Sequence, residues 1–108
     1  METASSAVVD RLAALAQPHR LAVFRLLVVA GPDGRTAGEI AGALGLAASS
    51  LSFHLAHLKR AGLVVATREG CTLRHAVDFG VMHGLVDFLT ENCCSGGACE
   101  AAAASASA

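Results

Sequence analysis

Cys93, Cys94 and Cys99 fall within seven residues, in the segment Asn92-Cys93-Cys94-Ser95-Gly96-Gly97-Ala98-Cys99. Sulfurs this close, beside glycines that let the backbone fold back, can converge on one soft centre, because thiolates select soft and thiophilic ions over hard ones. The same residues have a second chemistry open to them, since clustered exposed thiols oxidise to disulfides. Catalysis fits poorly. A nucleophilic thiol is generally held at a helix N-terminus or beside a base, whereas these three follow the end of an expected helix and stand between Glu91 and Glu100. The chain has no phosphate-binding glycine loop, Ser-His-Asp arrangement or carboxylate pair, so it reads as a non-enzyme. Cys71 stands alone and reads as a small buried apolar side chain. His19, His54, His57, His75 and His83 lack partners at metal-ligand spacing.

The elements that must hold this segment are mostly helical. Residues 5–17 place Val8, Leu12 and Leu15 on one face, and Pro18 suits the first turn of a second helix through Ala30, with Leu21, Phe24, Leu27 and Val28 inward. Gly31-Pro32-Asp33-Gly34 is a turn cluster. Thr36-Ala37-Gly38-Glu39 has capping-box spacing and opens a short helix that Gly45 stops. After the turn Gly45-Leu46-Ala47, a fourth helix over 48–61 carries the apolar stripe Leu51, Leu55 and Leu58 and ends at Gly62. Two β-rich runs, 63–68 and 72–77, flank a hairpin turn at Glu69-Gly70-Cys71. Asp78 can cap a last helix over 79–92, with Met82, Leu85, Val86 and Leu89 on one side. Short helix, tight turn, amphipathic helix and hairpin together predict a mainly α chain with a small β-hairpin, a winged helix-turn-helix. Residues 1–92 form that domain, and residues 93–108 the cysteine segment and an Ala/Ser tail expected to be disordered.

At 108 residues the chain is one domain with an aliphatic core, having neither Trp nor Tyr and four Phe. No apolar run approaches the roughly 18 residues that cross a bilayer, so no membrane partner is expected. Met1 to Ala7 lacks the basic start and apolar run of a signal peptide. The expectation is a cytoplasmic protein, with its thiols reduced. The net charge of −1 hides an uneven distribution. Residues 47–77 hold Lys59, Arg60, Arg68 and Arg74 against Glu69 alone, while residues 78–108 hold only acids. One basic segment is a footprint for DNA.

In helix-turn-helix proteins the second helix enters the major groove with its early residues at base edges. Here that assigns Ser49, Ser50, Ser52, Phe53 and His54 to base contact: hydroxyls serve base or phosphate, and Phe53 suits thymine methyls. Lys59 and Arg60, further along, suit phosphates, and Arg68 and Arg74 flank a hairpin tip that can reach the DNA backbone.

Three segments, Leu12-Ala13-Ala14-Leu15-Ala16-Gln17-Pro18-His19-Arg20-Leu21, Glu39-Ile40-Ala41-Gly42-Ala43-Leu44-Gly45-Leu46 and Leu51-Ser52-Phe53-His54-Leu55-Ala56-His57-Leu58-Lys59-Arg60-Ala61-Gly62-Leu63-Val64, resemble the ArsR/SmtB family of metal-responsive repressors. The resemblance covers about residues 8–92 and implies a homodimer joined by the first and last helices. Such a dimer binds palindromic double-stranded operator DNA and represses transcription until an inducer arrives. Two ligand sites of the family have no match. Thr36-Ala37-Gly38-Glu39 stands where a Cys-x-Cys pair would open the third helix, and Asp78, His83 and Glu91 do not complete the spacing of a last-helix site. Cys93, Cys94 and Cys99 resemble instead the arsenic-responsive members, with adjacent cysteines after the last helix and a third shortly beyond. The resemblance implies As(III) as inducer, with Sb(III) as its chemical analogue. Trivalent arsenic forms a three-sided pyramid with three thiolates, whereas structural zinc takes four ligands. Methylated trivalent arsenicals need only two thiols; cadmium, lead or zinc would require a fourth ligand; thiol oxidation would require none. Neighbouring side chains on a regular helix diverge by about 100°, so the last turn must bend for Cys93 and Cys94 to share a ligand.

Overall fold

The computed structural model describes residues 2–96, with side chains from Ser5 to Cys94; Cys99 and the 101–108 tail lie outside the described residues. Its elements are α1 (Glu2–Leu15), α2 (Pro18–Ala30), β1 (Arg35–Thr36), α3 (Ala37–Leu44), α4 (Ala48–Arg60), β2 (Val64–Glu69), β3 (Thr72–Val77) and α5 (Phe79–Thr90), followed by a single 3-10 turn over Cys93–Gly96. The winged helix-turn-helix expected from the sequence is present.

Local chemistry sets the element boundaries. Pro18 occupies the first turn of α2, and Gln17 Oε1 accepts from the Arg20 amide at 2.8 Å. The capping box forms: Thr36 Oγ1 accepts from the Glu39 amide at 3.2 Å, and Glu39 Oε1 from the Thr36 amide at 2.9 Å. The Thr36 amide and hydroxyl hold the Glu39 carboxyl below its ordinary pKa, so it stays ionised as an acceptor. Between α3 and α4 the chain bends by 114°, within the usual range for a helix-turn-helix. Asp78 caps α5 by accepting from the Val81 amide at 3.1 Å.

The wing is an antiparallel hairpin running from Val64↔Val77 to Glu69↔Thr72. β1 adds a third strand beside β3, with Arg35↔His75 and Thr36↔Arg74. This strand was not expected. The sequence reads 31–34 as a turn, and two residues are too few to display an alternating pattern. Gly34 makes the approach possible, because a Cβ there would collide with the His75 backbone carbonyl.

One core joins Val23, Phe24 and Leu27 of α2, Ile40 of α3 and Leu51, Leu55 and Leu58 of α4 to Leu63, Val64 and Val77. Ala14, completely buried, lets α1 lie close against this cluster. Leu21, expected inward, is exposed. On the apolar faces of α1 and α5, Leu12, Val86 and Leu89 are exposed too, while Val8, Ala14 and Leu85 are buried. No single helix among the described residues is long and apolar enough to cross a membrane.

His75 is the one buried polar residue of the described core, 4 % exposed, and its Nδ1 has no hydrogen-bond partner among the described residues. Burial, and secondarily the Lys59 ammonium, hold its pKa below the ordinary value, which is about 6.5. The unfolded imidazole takes up a proton as pH falls through about 6.5, while the folded one resists it. Its contribution is therefore complete above that pH and is lost as pH falls through the lower folded value. Urea denaturation at pH 7.5 and pH 5 should show a smaller loss of stability in His75→Phe than in wild type. Equal losses would assign the acid sensitivity to other groups.

Candidate functional site

The open face of α4 carries Ser49, Ser50, Ser52 and Phe53 near its start and Lys59 and Arg60 at its end, all exposed. Phe53 is 67 % exposed, an unusual exposure for an aromatic. No acidic residue interrupts this helix. The burial of Leu51, Leu55 and Leu58 against the core turns the other side outward, and so the helix presents hydroxyls, an aromatic ring and two cations to whatever approaches.

His54 departs from that face. Its ring lies 5.6 Å, centroid to centroid, from the ring of His19 on α2, and its Nδ1 is enclosed without a partner among the described residues. Burial first, then the charges of His19, Arg20 and His57, lower its pKa and favour the neutral imidazole. The structure places it against α2, not among the base-edge residues with which sequence reasoning grouped it. The cause is position: His54 immediately precedes the buried Leu55 and follows Leu51 by one helical turn.

The two wing arginines also part company. Arg68 on β2 is exposed and points away from the core. Arg74 is half-buried: its Nε donates to the Asp33 carbonyl at 3.0 Å and its Nη2 to the Gly34 carbonyl at 3.4 Å. It thereby fastens the wing to the turn before β1, beside a polar recess of about 310 Å³ shared with Asp33, Thr67 and Glu69. Its guanidinium lies at the root of the wing, away from the hairpin tip where sequence reasoning put it.

Arg11 and Arg20 carry functions the sequence did not reveal. Arg20 Nε donates to the Ala14 carbonyl at 2.6 Å, closing the C-terminus of α1, and Arg11 Nε donates to the Ala61 carbonyl at 3.2 Å. A bond from an arginine to a distant helix-end carbonyl leaves no spacing signature that could have found it.

At the other end of the chain, α5 stops at Thr90, whose hydroxyl donates to the Val86 carbonyl at 2.9 Å. Asn92 and Cys94 then adopt left-handed backbone, φ 59° and 58°. This is uncommon for residues with a Cβ. These two residues flank Cys93 and turn adjacent side chains to one side, leaving the exposed Cys93 and Cys94 sulfurs 3.6 Å apart. An atom bonded to both at about 2.3 Å, a metal–thiolate length, would subtend an angle of about 100°, which suits pyramidal or tetrahedral coordination. Two sulfurs at this spacing have the geometry of a clamp for one soft centre.

Comparison with known proteins places these features. A family model described as a helix-turn-helix domain matches residues 15–66, from the end of α1 into β2. The HTH-type transcriptional regulator YgaV of Escherichia coli (strain K12) is 29% identical over 83 residues, covering 77% of this chain and 82% of the relative. Among solved structures, HlyU from Vibrio cholerae N16961 is 31% identical with a TM-score of 0.69, covering 87% of this chain and 99% of that one. The homodimeric winged helix-turn-helix DNA-binding domain of Mb0332 from Mycobacterium bovis, titled a possible ArsR-family transcriptional regulator, is 29% identical with a TM-score of 0.67 over 84% of each chain. YgaV is described as a transcriptional regulator and the Mb0332 domain as a DNA-binding one.

Proposed function

We propose that the chain is a homodimeric repressor of the ArsR type of winged helix-turn-helix regulators, released from its operator when As(III) is captured by thiolates. The observation that carries the inducer reading is the 3.6 Å separation of the Cys93 and Cys94 sulfurs. Arsenous acid exchanges its hydroxyls for thiolates, forming one As–S bond and releasing one water at each exchange. Cys93 and Cys94 supply two sulfurs and Cys99, six and five residues further along, the third.

On the DNA side, Ser49, Ser50, Ser52 and Phe53 meet base edges, and Lys59, Arg60 and Arg68 meet phosphates. Arg74 acts differently from Arg68, since its donors hold the root of the wing. The exposed apolar side chains of α1 and α5 supply the seam between subunits. The thiol clamp continues directly from α5. Drawing Cys99 onto arsenic held by Cys93 and Cys94 pulls on the segment that follows α5 and shifts the seam, so the two reading heads lose their common register with the groove. A coupling of about 1–3 kcal/mol lowers operator affinity about five- to 150-fold.

Thiol oxidation is the second reading, favoured by the same proximity of two exposed sulfurs. The deciding experiment follows operator DNA by fluorescence anisotropy, with a non-chelating phosphine reductant present throughout. Arsenite and antimonite should release the protein, while zinc and cadmium should not. Release by cadmium and zinc but not arsenite would remove arsenic as inducer, and, in a parallel arm without reductant, release by peroxide alone would favour a disulfide. An apoprotein with no preference for its own promoter over random DNA would end the repressor reading. In the same assay Arg68→Ala should flatten the salt dependence by about one charge per subunit, or about two per dimer.

A further inference from the structure

The three residues that follow the reading helix receive one hydrogen bond from each of the two helices assigned to the subunit seam. From α1, Arg11 Nε donates to the Ala61 carbonyl at 3.2 Å. From the N-cap of α5, the Asp78 amide donates to the Leu63 carbonyl at 2.9 Å. The Asp78 bond is made by backbone and is independent of side-chain type. The Arg11 bond is not: it depends on one half-buried guanidinium spanning fifty positions of sequence.

Ala61 is the C-cap of α4, directly after Lys59 and Arg60. A helix end leaves its last carbonyls without intrahelical partners, and it favours a cation there. Arg11 satisfies both demands at once. Its Nη2 also lies 3.6 Å from where a Cβ on Gly62 would stand, so the guanidinium covers the whole α4–β2 turn. Within one turn of Arg11, at the C-terminal end of α1, Arg20 of α2 holds the Ala14 carbonyl. The C-terminal part of α1 is thus fastened both to α2 and to the end of α4, with Val8 and Ala14 buried inward and Val9 and Leu12 exposed outward.

We propose that Arg11 is a positioning residue for operator recognition, tying the seam helix α1 to the end of the reading helix α4 and so setting the spacing and tilt of the two reading heads in the dimer. It touches neither DNA nor inducer in this role. The inference rests on the reading of the chain as a dimeric repressor joined through α1. A dimer reads two half-sites at fixed separation, so a loosened α4 loses specific contacts while the sequence-independent attraction of its cations for phosphate remains.

The test compares affinity for the operator with affinity for random DNA of equal length, in wild type, Arg11→Gln and Arg11→Lys. Arg11→Gln should remain a dimer and lose about two- to thirtyfold of operator preference, with random-DNA affinity little changed. Partial unfolding would lower both affinities equally, so the ratio separates positioning from mere stability. Arg11→Lys keeps a cation that can reach the Ala61 carbonyl and should restore most of the ratio. A dimeric Arg11→Gln with the wild-type ratio would overturn the inference. If that variant does not fold, the Arg11 Nε–H resonance of wild type decides: it should be protected from solvent exchange and shift when operator is bound, and an exchanging, unshifted signal overturns the proposal. A wild type that does not discriminate operator from random DNA removes the functional reading and this inference together, whereas a discriminating wild type matched by Arg11→Gln removes the inference alone.

Discussion

Replacing Cys93 with Ser should produce a repressor that binds its operator as tightly as wild type and stays there in arsenite. Wild type should lose about five- to 150-fold in operator affinity when arsenite is added, the range of an ordinary allosteric coupling; the variant should change by less than about twofold. DNA binding survives because both described sulfurs are exposed, in a turn beyond α5 that contributes nothing to the core. The response disappears because arsenic loses one side of a clamp whose two sulfurs stand 3.6 Å apart. Cys94→Ser should behave alike. Cys99→Ser distinguishes inducers: with two thiolates left, it should fail with arsenite yet respond to a monomethyl arsenical, which has only two exchangeable positions. Cys71, expected to be buried, is instead exposed in the β2–β3 turn, where no core side chain covers it, and Cys71→Ser should respond normally. The measurement is operator anisotropy under phosphine reductant, and a normal arsenite response in Cys93→Ser would sink the thiolate site.

The features legible in the sequence are those determined by short-range chemistry. The Thr36–Glu39 capping box, the Pro18 start of α2, the Asp78 cap and the β2–β3 hairpin each depend on residues a few positions apart, and each formed as expected. The need for a break after α5 was also visible, since adjacent cysteines cannot share a ligand on a regular helix; the means, left-handed backbone at Asn92 and Cys94, was not. Long-range pairing escaped the sequence. Arg74 has the charge and position of a wing contact, and only the folded chain shows its donors committed to carbonyls some forty residues earlier. His54 belongs to a segment that reads DNA by pattern, yet packing against His19 turns it inward. The exposed apolar positions have a different cause. Periodicity identifies the apolar stripe of a helix without saying which molecule covers it. On α1 and α5, Val8, Ala14 and Leu85 are buried and Leu15, Phe79, Val81 and Met82 pack partly against this chain's own core, whereas Leu12, Val86 and Leu89 stay open.

The apolar residues left outside lead to the second large effect: Leu89→Glu should convert a dimer into a folded monomer and lower operator affinity at least about a hundredfold, the scale on which paired binding exceeds single-site binding. Leu89 is 57 % exposed, with Val86 one helical turn before it equally open and Val9 and Leu12 exposed on α1. In a symmetric seam each substitution acts twice. Burial of one leucine contributes about 1.5–3 kcal/mol, so the lost term is doubled, and two carboxylates would then be desolvated in an apolar contact. The fold itself should persist, because Leu89 stands outside the core cluster. Val29→Glu is the control. Val29 is still more exposed, at 88 %, but it sits on α2 beside the recess lined by Leu26, Ala30, Arg35, Glu39 and Ala43. A general penalty for removing surface apolar groups would affect both variants alike, whereas a seam through α1 and α5 affects only Leu89→Glu. Sedimentation equilibrium reads the oligomer and anisotropy reads the affinity. A dimeric Leu89→Glu, or a monomeric Val29→Glu, would move the seam elsewhere on the molecule, and with it the route from the thiol clamp to the reading helices.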